Sequence, residues 1–584
     1  MSIRLIDVET LRLKSFNTRK TPPYAILSHT WVEDEEVSFE EMRQIAENPS
    51  HPATRKSGYR KIRETCRQVR VLRLGYAWVD TCCIDKSSSA ELSEAINSMF
   101  RWYRDAHVCI AYLSDYSSLS TKKDDMKECK WFTRGWCLQE LIAPKVLIFY
   151  DQNWKAFGSR HDDQRLVASI TGIDQSVLVN HDQMYSLPVA QRMSWASRRT
   201  TTRVEDTAYC LLGIFDIHMP LLYGEGEKAF LRLQEEIIRR LNDTSVFLFS
   251  PKALGQNSFS SSQSIHSNTD VDSTDGPSEN ATVGSSEPEE RNPYLKDLSE
   301  QQFCGMFATS PADFHGCGDM MRRGDHRAPF DRHAFSVTNR GIQLGKQVLW
   351  YGFGEKHYFV WETPFRHHNH KDFPLHGTIT LRKIGHNLFA RVLFPKVRMS
   401  NARRNIVHED VCVLRHMTPS TERQIHQSLK TVLRINVRND VGPRSHVFLS
   451  HQTPMDLWDQ SGDLFLIPGA FHSRIFDYDA SNPNSSWRFV RFTGVNDKGS
   501  IPLFCLQVII IPKDADGREV VTLLSVKDPD MFPSLEGLSS QSLRTFYLPS
   551  FGGIVVNANT CLEPFQEWDS RVYTCTVDIW NISS

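Results

Sequence analysis

Tyr24-Ala-Ile-Leu-Ser-His-Thr-Trp31 is the stretch that decides the fold of the N-terminal part. Its first five residues form an apolar run of strand length, and polar and aromatic side chains follow at once. Downstream, Lys56–Leu72 places apolar residues at helical spacing and ends before Gly75, and Tyr76–Asp80 is a second strand-like run. Strand, helix and strand in this order predict two parallel strands joined by a crossover helix.

The same alternation continues for another seventy residues. Ser88 and Glu91 form a capping-box signature that opens an amphipathic helix, and Val108–Leu113 is the next strand. A helix is predicted over Trp131–Ala143, and Lys145–Tyr150 is the last strand of the series. The order β-α-β-α-β-α-β predicts an α/β domain over residues 1–150, with a doubly wound, TIR- or flavodoxin-like parallel sheet covered on both faces.

The rest of the chain divides by composition. Residues 151–250 read as a helical extension, with helices expected over Leu187–Arg199, Asp206–Phe215 and Glu225–Leu241. Residues 251–293 are rich in Ser, Asn, Gly, Thr and acidic side chains, which predicts a disordered linker because such a segment buries little apolar surface. Residues 294–584 are predicted to form a β-rich domain, with strands near 377–381, 388–394, 487–492 and 503–511.

Composition limits the classes of partner. The formal net charge of the 584 residues is -1, so no long-range field favours nucleic acid.

The 13 cysteines follow no metal or disulfide spacing and the N-terminus has no apolar signal segment, so we expect reduced thiols and a cytoplasmic protein. The most apolar run, Leu503–Ile511, is too short to span a bilayer. His367–His370 lacks companion ligands, and we assign no metal site and no cofactor.

Polar side chains gather where the predicted parallel strands end, which is where open α/β sheets bind ligands. Glu140 is the candidate catalytic residue, and the candidate substrate-binding residues are Ser28, His29, Trp31, Asp80, Cys83, Asp85, Arg134 and Trp136. Trp136 and Glu140 are four residues apart and therefore neighbours on one helix face. A carboxylate beside an indole suits a cationic heteroaromatic ring with a developing positive charge.

Each candidate also has a structural interpretation. Glu140 fits a helix carboxylate that is solvated or paired with Arg134, and His29 fits a strand-end histidine bonded to the backbone. Asp80 and Asp85 fit residues that cap loops and the next helix. Cys83 and the adjacent Cys82 fit buried small apolar residues. The sequence leaves both interpretations open.

Three blocks carry a resemblance to a known family. Tyr24–Trp31, the stretch Tyr76-Ala-Trp-Val-Asp-Thr-Cys-Cys-Ile-Asp85 and the stretch Arg134-Gly-Trp-Cys-Leu-Gln-Glu-Leu141 resemble, in order and spacing, the signature blocks of the fungal heterokaryon-incompatibility (HET) domain. Arg203–Ile214 and Leu222–Phe230 resemble the segment that commonly follows it. The resemblance covers roughly residues 24–241, under half of the chain.

HET domains in turn are distantly similar to TIR domains, some of which cleave NAD. That similarity implies that Glu140 falls where such TIR domains place their catalytic glutamate, that Ser28 and the loop after it face the nucleotide, and that Asp85 lies where TIR domains keep an assembly loop. NAD is then a substrate and not a bound cofactor.

The resemblance implies a cell-death effector in vegetative incompatibility, which is a form of self/non-self recognition, that self-associates and responds to an unidentified incompatibility partner protein. Cleavage of NAD by a TIR-like NAD glycohydrolase activity is the enzymatic interpretation. The alternative is a non-catalytic, self-associating signalling module that uses the same sheet and helices. A third interpretation is an inactive HET block beside a β-rich domain with a ligand of its own.

Overall fold

The computed structural model describes residues 2–17, 20–119 and 122–250, then 302–322, 335–352, 359–363, 365–367, 378–385, 387–393 and 404–428, followed by the C-terminal strands given below. The predicted linker, 251–293, and residues 368–370 of the histidine run lie outside the described residues. The described residues divide into two compact units. The first comprises those of Met1–Pro251, Gly305–Gly345 and Trp361–Ile379; the second comprises those of Lys252–Cys304, Lys346–Val360 and Thr380–Ser584. The predicted domain boundaries stay predictions.

The first unit contains, in its described part, a seven-stranded sheet in the order β2-β1-β4-β3-β5-β6-β7. Its strands are β1 Ser2–Asp7, β2 Leu13–Asn17, β3 Ala25–His29, β4 Tyr76–Trp78, β5 Val108–Tyr112, β6 Leu147–Tyr150 and β7 Ala156–Ser159. The four strands in the middle, β4, β3, β5 and β6, are parallel, and they are the four that the sequence predicts. β3 and β5 are buried at every residue, as strands covered on both faces should be.

The sheet is mixed and not wholly parallel as predicted. β1 pairs antiparallel with both β2 and β4, and β7 pairs antiparallel with β6. β2 and β7 are the two edge strands, each with one neighbour, and β1 lies second from one edge; short hairpin connections are enough to join β1 to β2 and β6 to β7. The prediction missed them because β2 and β7 are short and hardly buried, so their apolar signal is weak.

Twelve α-helices are found in residues 2–250 as described. They are α1 Phe39–Glu47, α2 Ser57–Val71, α3 Asp80–Cys83, α4 Ser89–Asp105, α5 Lys130–Thr133, α6 Cys137–Ile142, α7 Gln164–Thr171, α8 Gln175–Val179, α9 Val189–Ser194, α10 Asp206–Tyr209, α11 Leu212–Phe215 and α12 Lys228–Arg240. Short 3-10 turns at Pro52–Arg55, Lys123–Glu128, His181–Ser186, Thr244–Phe247 and Pro311–Phe314 connect some of the elements.

The N-terminus of helix α4 is fixed both by a local cap and by contacts with residues far away in the sequence. The Ser88 side chain caps the helix by accepting from the backbone N–H of Glu91 at 3.3 Å, as the sequence predicts. The Glu91 carboxylate does not complete the capping box. It accepts instead from the Asp85 backbone N–H at 2.8 Å and pairs with Arg4 at 2.7 Å. The loop between α3 and α4 is therefore tied to strand β1.

The helix predicted over Trp131–Ala143 is interrupted. It consists of α5 and α6, with Arg134, Gly135 and Trp136 between them. Arg134 forms an isolated parallel bridge with Thr200, and the Gly135 N–H donates to the Thr200 carbonyl at 2.8 Å. A Cβ at Gly135 would lie 2.5 Å from the Thr201 Cγ2 atom, so any larger residue here would require the Thr201 side chain to move. A backbone partner 65 positions beyond Gly135 thus pairs where the first helix ends, which no local pattern reveals.

The helical extension packs directly on the α/β core. Helix α11 lies against α4 so closely that a Cβ on Gly213 would stand 2.1 Å from the Phe100 Cβ. The predicted helix 206–215 is also divided, into α10 and α11, whereas α12 buries Phe230, Leu233 and Ile237 along the predicted stripe. The Gln234 amide bonds both backbone groups of Ala308, so a segment beyond residue 301 completes the first unit.

The C-terminal region is a sheet region, as predicted in outline. Beyond residue 301 the described elements are β8 Gln302–Cys304, β9 Met320–Arg322, β10 Ser336–Val337, β11 Ile342–Gly352, β12 Phe359–Glu362, β13 Phe365–His367, β14 Thr378–Gly385, β15 Leu388–Leu393, β16 Arg404–Val413, α13 Pro419–Ser428, β17 Thr431–Asp440, β18 His446–Thr453, β19 Trp458–Asp459, β20 Leu464–Leu466, β21 Trp487–Asn496, β22 Gly499–Lys513, β23 Gly517–Ser525, β24 Leu543–Leu548, β25 Ile554–Phe565 and β26 Ser570–Asn581.

Two sheets of the second unit lie wholly in its C-terminal part. One has the order β18-β21-β22-β23 and is antiparallel throughout. The other has the order β19-β20-β17-β26-β25-β24, with β17 and β26 parallel. Among the helices of the described residues, none has both the length and the apolar character needed to cross a membrane.

Candidate functional site

A chain of three buried side chains links strand β3 to helices α5 and α6. The Trp131 Nε1–H donates to the Ser28 Oγ at 2.7 Å, and the Ser28 Oγ–H donates to the Glu140 Oε2 at 2.5 Å. An indole N–H only donates, so the serine accepts from Trp131 and its own proton points to the carboxylate. Ser28 and Trp131 are fully buried, and Glu140 is 7% exposed. The candidate catalytic carboxylate is therefore held in one orientation.

The environment of Glu140 raises its pKa to about 7. Burial is the main cause, and the negative charge of Asp80 acts in the same direction. The hydrogen bond from Ser28 and the positive charge of Arg134 favour the ionised form and oppose that rise. A pKa of about 7 leaves comparable populations of the acid and the carboxylate at neutral pH.

A second chain of polar contacts starts at the first residue of α3. The Asp80 Oδ1 lies 3.1 Å from the His29 Nε2, and the His29 Nδ1 lies 3.3 Å from the Lys61 Nζ. A lysine ammonium only donates, so the Nδ1 atom of His29 accepts and the ring proton sits on Nε2. His29 therefore donates to Asp80. The other Asp80 oxygen accepts from the Trp31 Nε1–H at 3.0 Å.

Lys61 supports this chain from helix α2. It is 6% exposed, and its ammonium also donates to the Thr30 carbonyl at 3.0 Å and to the Glu36 carboxylate. The three contacts account for the three protons of the ammonium group. Lys61 thus fixes the loop that follows β3 together with the His29 ring.

Asp80 and Glu140 have pKa values shifted in opposite directions. Burial alone would raise the pKa of Asp80, but the hydrogen bond from the His29 side chain, with the charges of Lys86 and Arg134, lowers it to about 2. Asp80 is thus ionised at neutral pH, whereas Glu140 is near the midpoint of its titration. Two neighbouring carboxyl groups with pKa values so far apart are typical of functional sites.

Two cations lie over the indole of Trp31. The Lys86 Nζ is 3.7 Å and the Arg134 guanidinium carbon 5.1 Å from the ring centroid. Both are within the range of cation–π attraction. The ring is 43% exposed, so this cluster forms the solvent-facing part of the site, whereas Glu140 lies in its buried part.

Residues 199–206 hold the short helix that carries Glu140. The Arg199 guanidinium donates to the Arg134 carbonyl at 2.9 Å, and the Trp136 Nε1–H donates to the Asp206 Oδ2 at 3.2 Å. Helix α6 has only six residues and is too short to be stable alone. The helical extension is therefore part of the scaffold of the site.

The predicted site residues separate into two groups, and their roles stay predictions. Hydrogen bonds, ring contacts or charges connect one group, which comprises Ser28, His29, Trp31, Asp80, Arg134 and Glu140. Trp136, Cys83 and Asp85 have other partners. Trp136 bonds Asp206, the Cys83 carbonyl accepts from Arg4, and Asp85 accepts from the Ser87 hydroxyl. The indole linked to Glu140 through Ser28 is that of Trp131 and not that of Trp136.

Sequence reasoning also missed Lys61 and Lys86. Lys61 precedes Ile62 at the start of the apolar stripe of α2, and a lysine within a buried helix face was the available signal. Lys86 follows Asp85 directly in a block already singled out, but a lone surface lysine has no local pattern that marks it.

Replacing Ser28 by alanine should destabilise the first unit by about 1–3 kcal/mol, because the Trp131 N–H and the Glu140 carboxyl would both lose a buried partner. The pKa of Glu140 should rise further, since the hydrogen bond from Ser28 lowers it. Urea unfolding of the full chain, with hydrogen exchange of β3 peptides as the readout, measures the first effect. Ser114→Ala is the control, because that hydroxyl makes only an exposed 3.4 Å contact. Equal stability of the two variants would contradict the hydrogen-bond chain.

With this geometry established, comparison with known proteins identifies the N-terminal part. The family model described as Heterokaryon incompatibility protein (HET) matches residues 24–126. The chain contains a HET domain. The match includes Ser28, His29 and Asp80 and ends before Glu140. A second model, described as a domain of unknown function (DUF8212), matches residues 228–340 and so includes α12 and the segment that packs on it.

A curated relative extends the similarity beyond the matched HET model. Over 233 residues the chain is 48% identical to Vegetative incompatibility protein HET-E-1 of Podospora anserina. The aligned part is 38% of this chain and only 17% of that relative, so the chain matches a small share of the relative's length. No solved structure matches the chain.

Proposed function

We propose that this protein acts in vegetative incompatibility, as a self/non-self recognition protein whose HET domain triggers cell death. The proposal is supported by the HET-domain match and by the 48% identity to a relative that is named for vegetative incompatibility. Self-association, and an incompatibility partner protein that triggers it, are part of the same proposal.

The finer proposal is that the HET domain cleaves NAD, with Glu140 as the catalytic carboxylate. The observation that carries it is the buried Glu140 carboxyl with a pKa of about 7, held by Ser28 at the carboxyl end of β3. The parallel strands run in the order second, first, third and fourth along the chain. This is the beginning of the flavodoxin-like order, in which ligands bind outside the carboxyl ends of the strands, and it supports the TIR resemblance.

The proposed reaction needs only one carboxylate. The bond between the ribose C1′ atom and the nicotinamide ring nitrogen breaks, and both electrons go to that nitrogen, which becomes neutral. The ribose carbon is left as an oxocarbenium-like cation, which the ionised Glu140 stabilises. Water then adds to the carbon and releases one proton to solvent, giving ADP-ribose. No general acid is required, because the nicotinamide of NAD is already a cationic leaving group.

The state of Glu140 sets the pH dependence of this reaction. The carboxylate, and not the acid, stabilises a cation, and the pKa of Glu140 is raised to about 7. The rate should therefore rise with pH between about 6 and 8 and level off above. The positive charge of Arg134 and the Ser28 hydroxyl favour the active ionised form.

One observation favours the non-catalytic alternative. Glu140 is only 7% exposed, and its Oε2 atom is already bonded to Ser28. These contacts also suit a carboxyl group that only fixes α6 against β3. In that case the HET domain recruits partners through its surface.

Release of nicotinamide separates the two candidates. The purified full chain, as wild type and as Glu140→Gln, is incubated with NAD at pH 6, 7 and 8. Nicotinamide release that rises with pH and falls at least about a hundredfold in the variant supports the enzyme, in line with the loss of one preorganised electrostatic group. Glu47→Gln, which removes an exposed carboxylate on α1, is the control. A wild type without release, or a Glu140→Gln protein with the wild-type rate, rejects the NAD-cleavage proposal.

A further inference from the structure

The indole of Trp31 is an aromatic surface in a fixed position. Its Nε1–H is bonded to Asp80, yet the side chain is 43% exposed. Its neighbour Val32 is 46% exposed, so the apolar surface continues along the loop after β3. A ring that is held by its polar edge loses little freedom when a ligand stacks on it.

The two cations over this ring have no carboxylate partner. In the described part of the chain, neither Lys86 nor Arg134 has a carboxylate oxygen within ion-pair distance. Asp80 and Glu36, whose charges act on Lys86, are themselves bonded to His29 and Lys61. An indole face is a weak partner for a cation compared with a phosphate oxygen. Lys86 and Arg134 are thus free to turn toward an anion.

Arg134 connects this cluster with the buried carboxyl group. Its charge lowers the pKa of Asp80 and also opposes the rise in the pKa of Glu140, so it acts on both carboxyl groups. An anion bound between Lys86 and Arg134 would therefore lie next to the site of the proposed reaction. This place is outside the carboxyl ends of β3 and β4, where parallel sheets take up ligands.

We propose that Trp31, Lys86 and Arg134 form the binding site for the ADP part of a nucleotide. The diphosphate lies between Lys86 and Arg134, and the adenine stacks on the indole of Trp31. The assignment of this ligand as one half of NAD rests on the proposed function. The binding of a base with a diphosphate rests on the aromatic ring and the two unpaired cations alone.

The proposed site predicts which ligands bind most tightly. A nucleoside without phosphate stacks on the Trp31 ring but has no anion to pair with the two cations, and free pyrophosphate pairs with the cations but has no base to stack on the ring. ADP should therefore bind more tightly than adenosine or pyrophosphate, and its affinity should fall as salt is raised. Lys86 and Arg134 become specificity-determining residues that distinguish NAD from nicotinamide riboside, which lacks the diphosphate.

The test uses calorimetric titration of the full chain carrying Glu140→Gln, with ADP, adenosine and pyrophosphate as separate probes. We expect ADP to bind at least about tenfold more tightly than either of the others, since each lacks one class of contact. Lys86→Met and Arg134→Met should each weaken ADP binding about tenfold and leave adenosine binding unchanged. Trp31→Ala should weaken both ADP and adenosine, and Trp31→Phe should restore most of the affinity. Arg165→Met, an exposed cation on α7, is the matched control.

The inference is overturned if ADP and adenosine bind equally, if ADP does not bind, or if the Lys86→Met and Arg134→Met proteins keep the control affinity for ADP. ADP binding with the expected pattern, in a protein whose wild type releases no nicotinamide, supports this site while rejecting the proposed reaction. If the wild type releases nicotinamide but neither Lys86→Met nor Arg134→Met weakens ADP binding, the proposed reaction is supported and this binding site is rejected.

Discussion

Replacing Lys61 by methionine is expected to destabilise the first unit by about 3–5 kcal/mol, the cost of leaving one partner of a buried ion pair alone. The ammonium of Lys61 bonds His29, the Thr30 carbonyl and Glu36, and the residue is 6% exposed. Methionine has a similar length but no donor, so the apolar contacts of the stem persist while three polar partners lose their bond. The substitution should also disturb the contacts of Asp80, because the His29 side chain bonds both Lys61 and Asp80.

Hydrogen exchange of peptides from α2 and β3 in the full chain measures this loss. The control is Arg63→Met, which removes an exposed cation from the same helix and should change stability by no more than about 0.5 kcal/mol. The double variant Lys61→Met with Glu36→Gln should lose less stability than the Lys61→Met variant, because the Glu36 carboxylate is then no longer left without its partner. If Lys61→Met and Arg63→Met behave alike, Lys61 does not hold the loop after β3.

The substitution Glu140→Gln should stabilise the same unit, by an amount that grows with pH. Burial raises the pKa of Glu140 from 4.5 to about 7 in the folded protein. Between these two values the unfolded chain has lost its proton and the folded one has kept it, so wild-type stability falls as pH rises. The full effect is about 3 kcal/mol, reached above pH 7 and absent below about pH 4. Glutamine avoids it, since its amide does not titrate and its oxygen still accepts from Ser28.

Urea unfolding of both proteins at pH 4.5, 6 and 8, followed by hydrogen exchange of α6 peptides, tests this. Groups shared by both proteins cancel in the difference between them. The difference should increase from near zero to about 3 kcal/mol in favour of Glu140→Gln. Glu47→Gln again controls for the loss of one negative charge. A difference that stays constant with pH would show that the carboxyl of Glu140 is not held away from water.

Asp80 illustrates the opposite case and explains why the two carboxyl groups are not equivalent. Its pKa is lowered to about 2, so its ionised form contributes stability above the unfolded value of 3.8, and that contribution is lost as pH falls through about 2. Asp80 is a stabilising anion that positions His29 and Trp31. The ionised Glu140 is destabilising. Proteins retain such groups at functional sites for reasons other than stability.

The helices and strands differ in how far local sequence predicts them. The parallel strands β3, β4, β5 and β6 are predicted because apolar runs of strand length mark them. Helices α2, α4 and α12 are predicted because their apolar residues recur at helical spacing. The split of the helix 131–143 is not predicted, because its cause is a backbone pairing with Thr200.

By itself, the sequence determined the α/β character of the N-terminal part, its resemblance to the HET domain and the set of polar residues from which the site is built. These follow from periodicity and from motifs, which are properties of neighbouring residues. Only the tertiary structure decided which of these residues meet. Ser28 reaches Glu140 across 112 positions, Trp131 and not Trp136 completes that chain, and Lys61 joins His29 from another helix. The opposite pKa shifts of Asp80 and Glu140 arise from burial and from charges brought close by folding, and neither has a local signature in the chain.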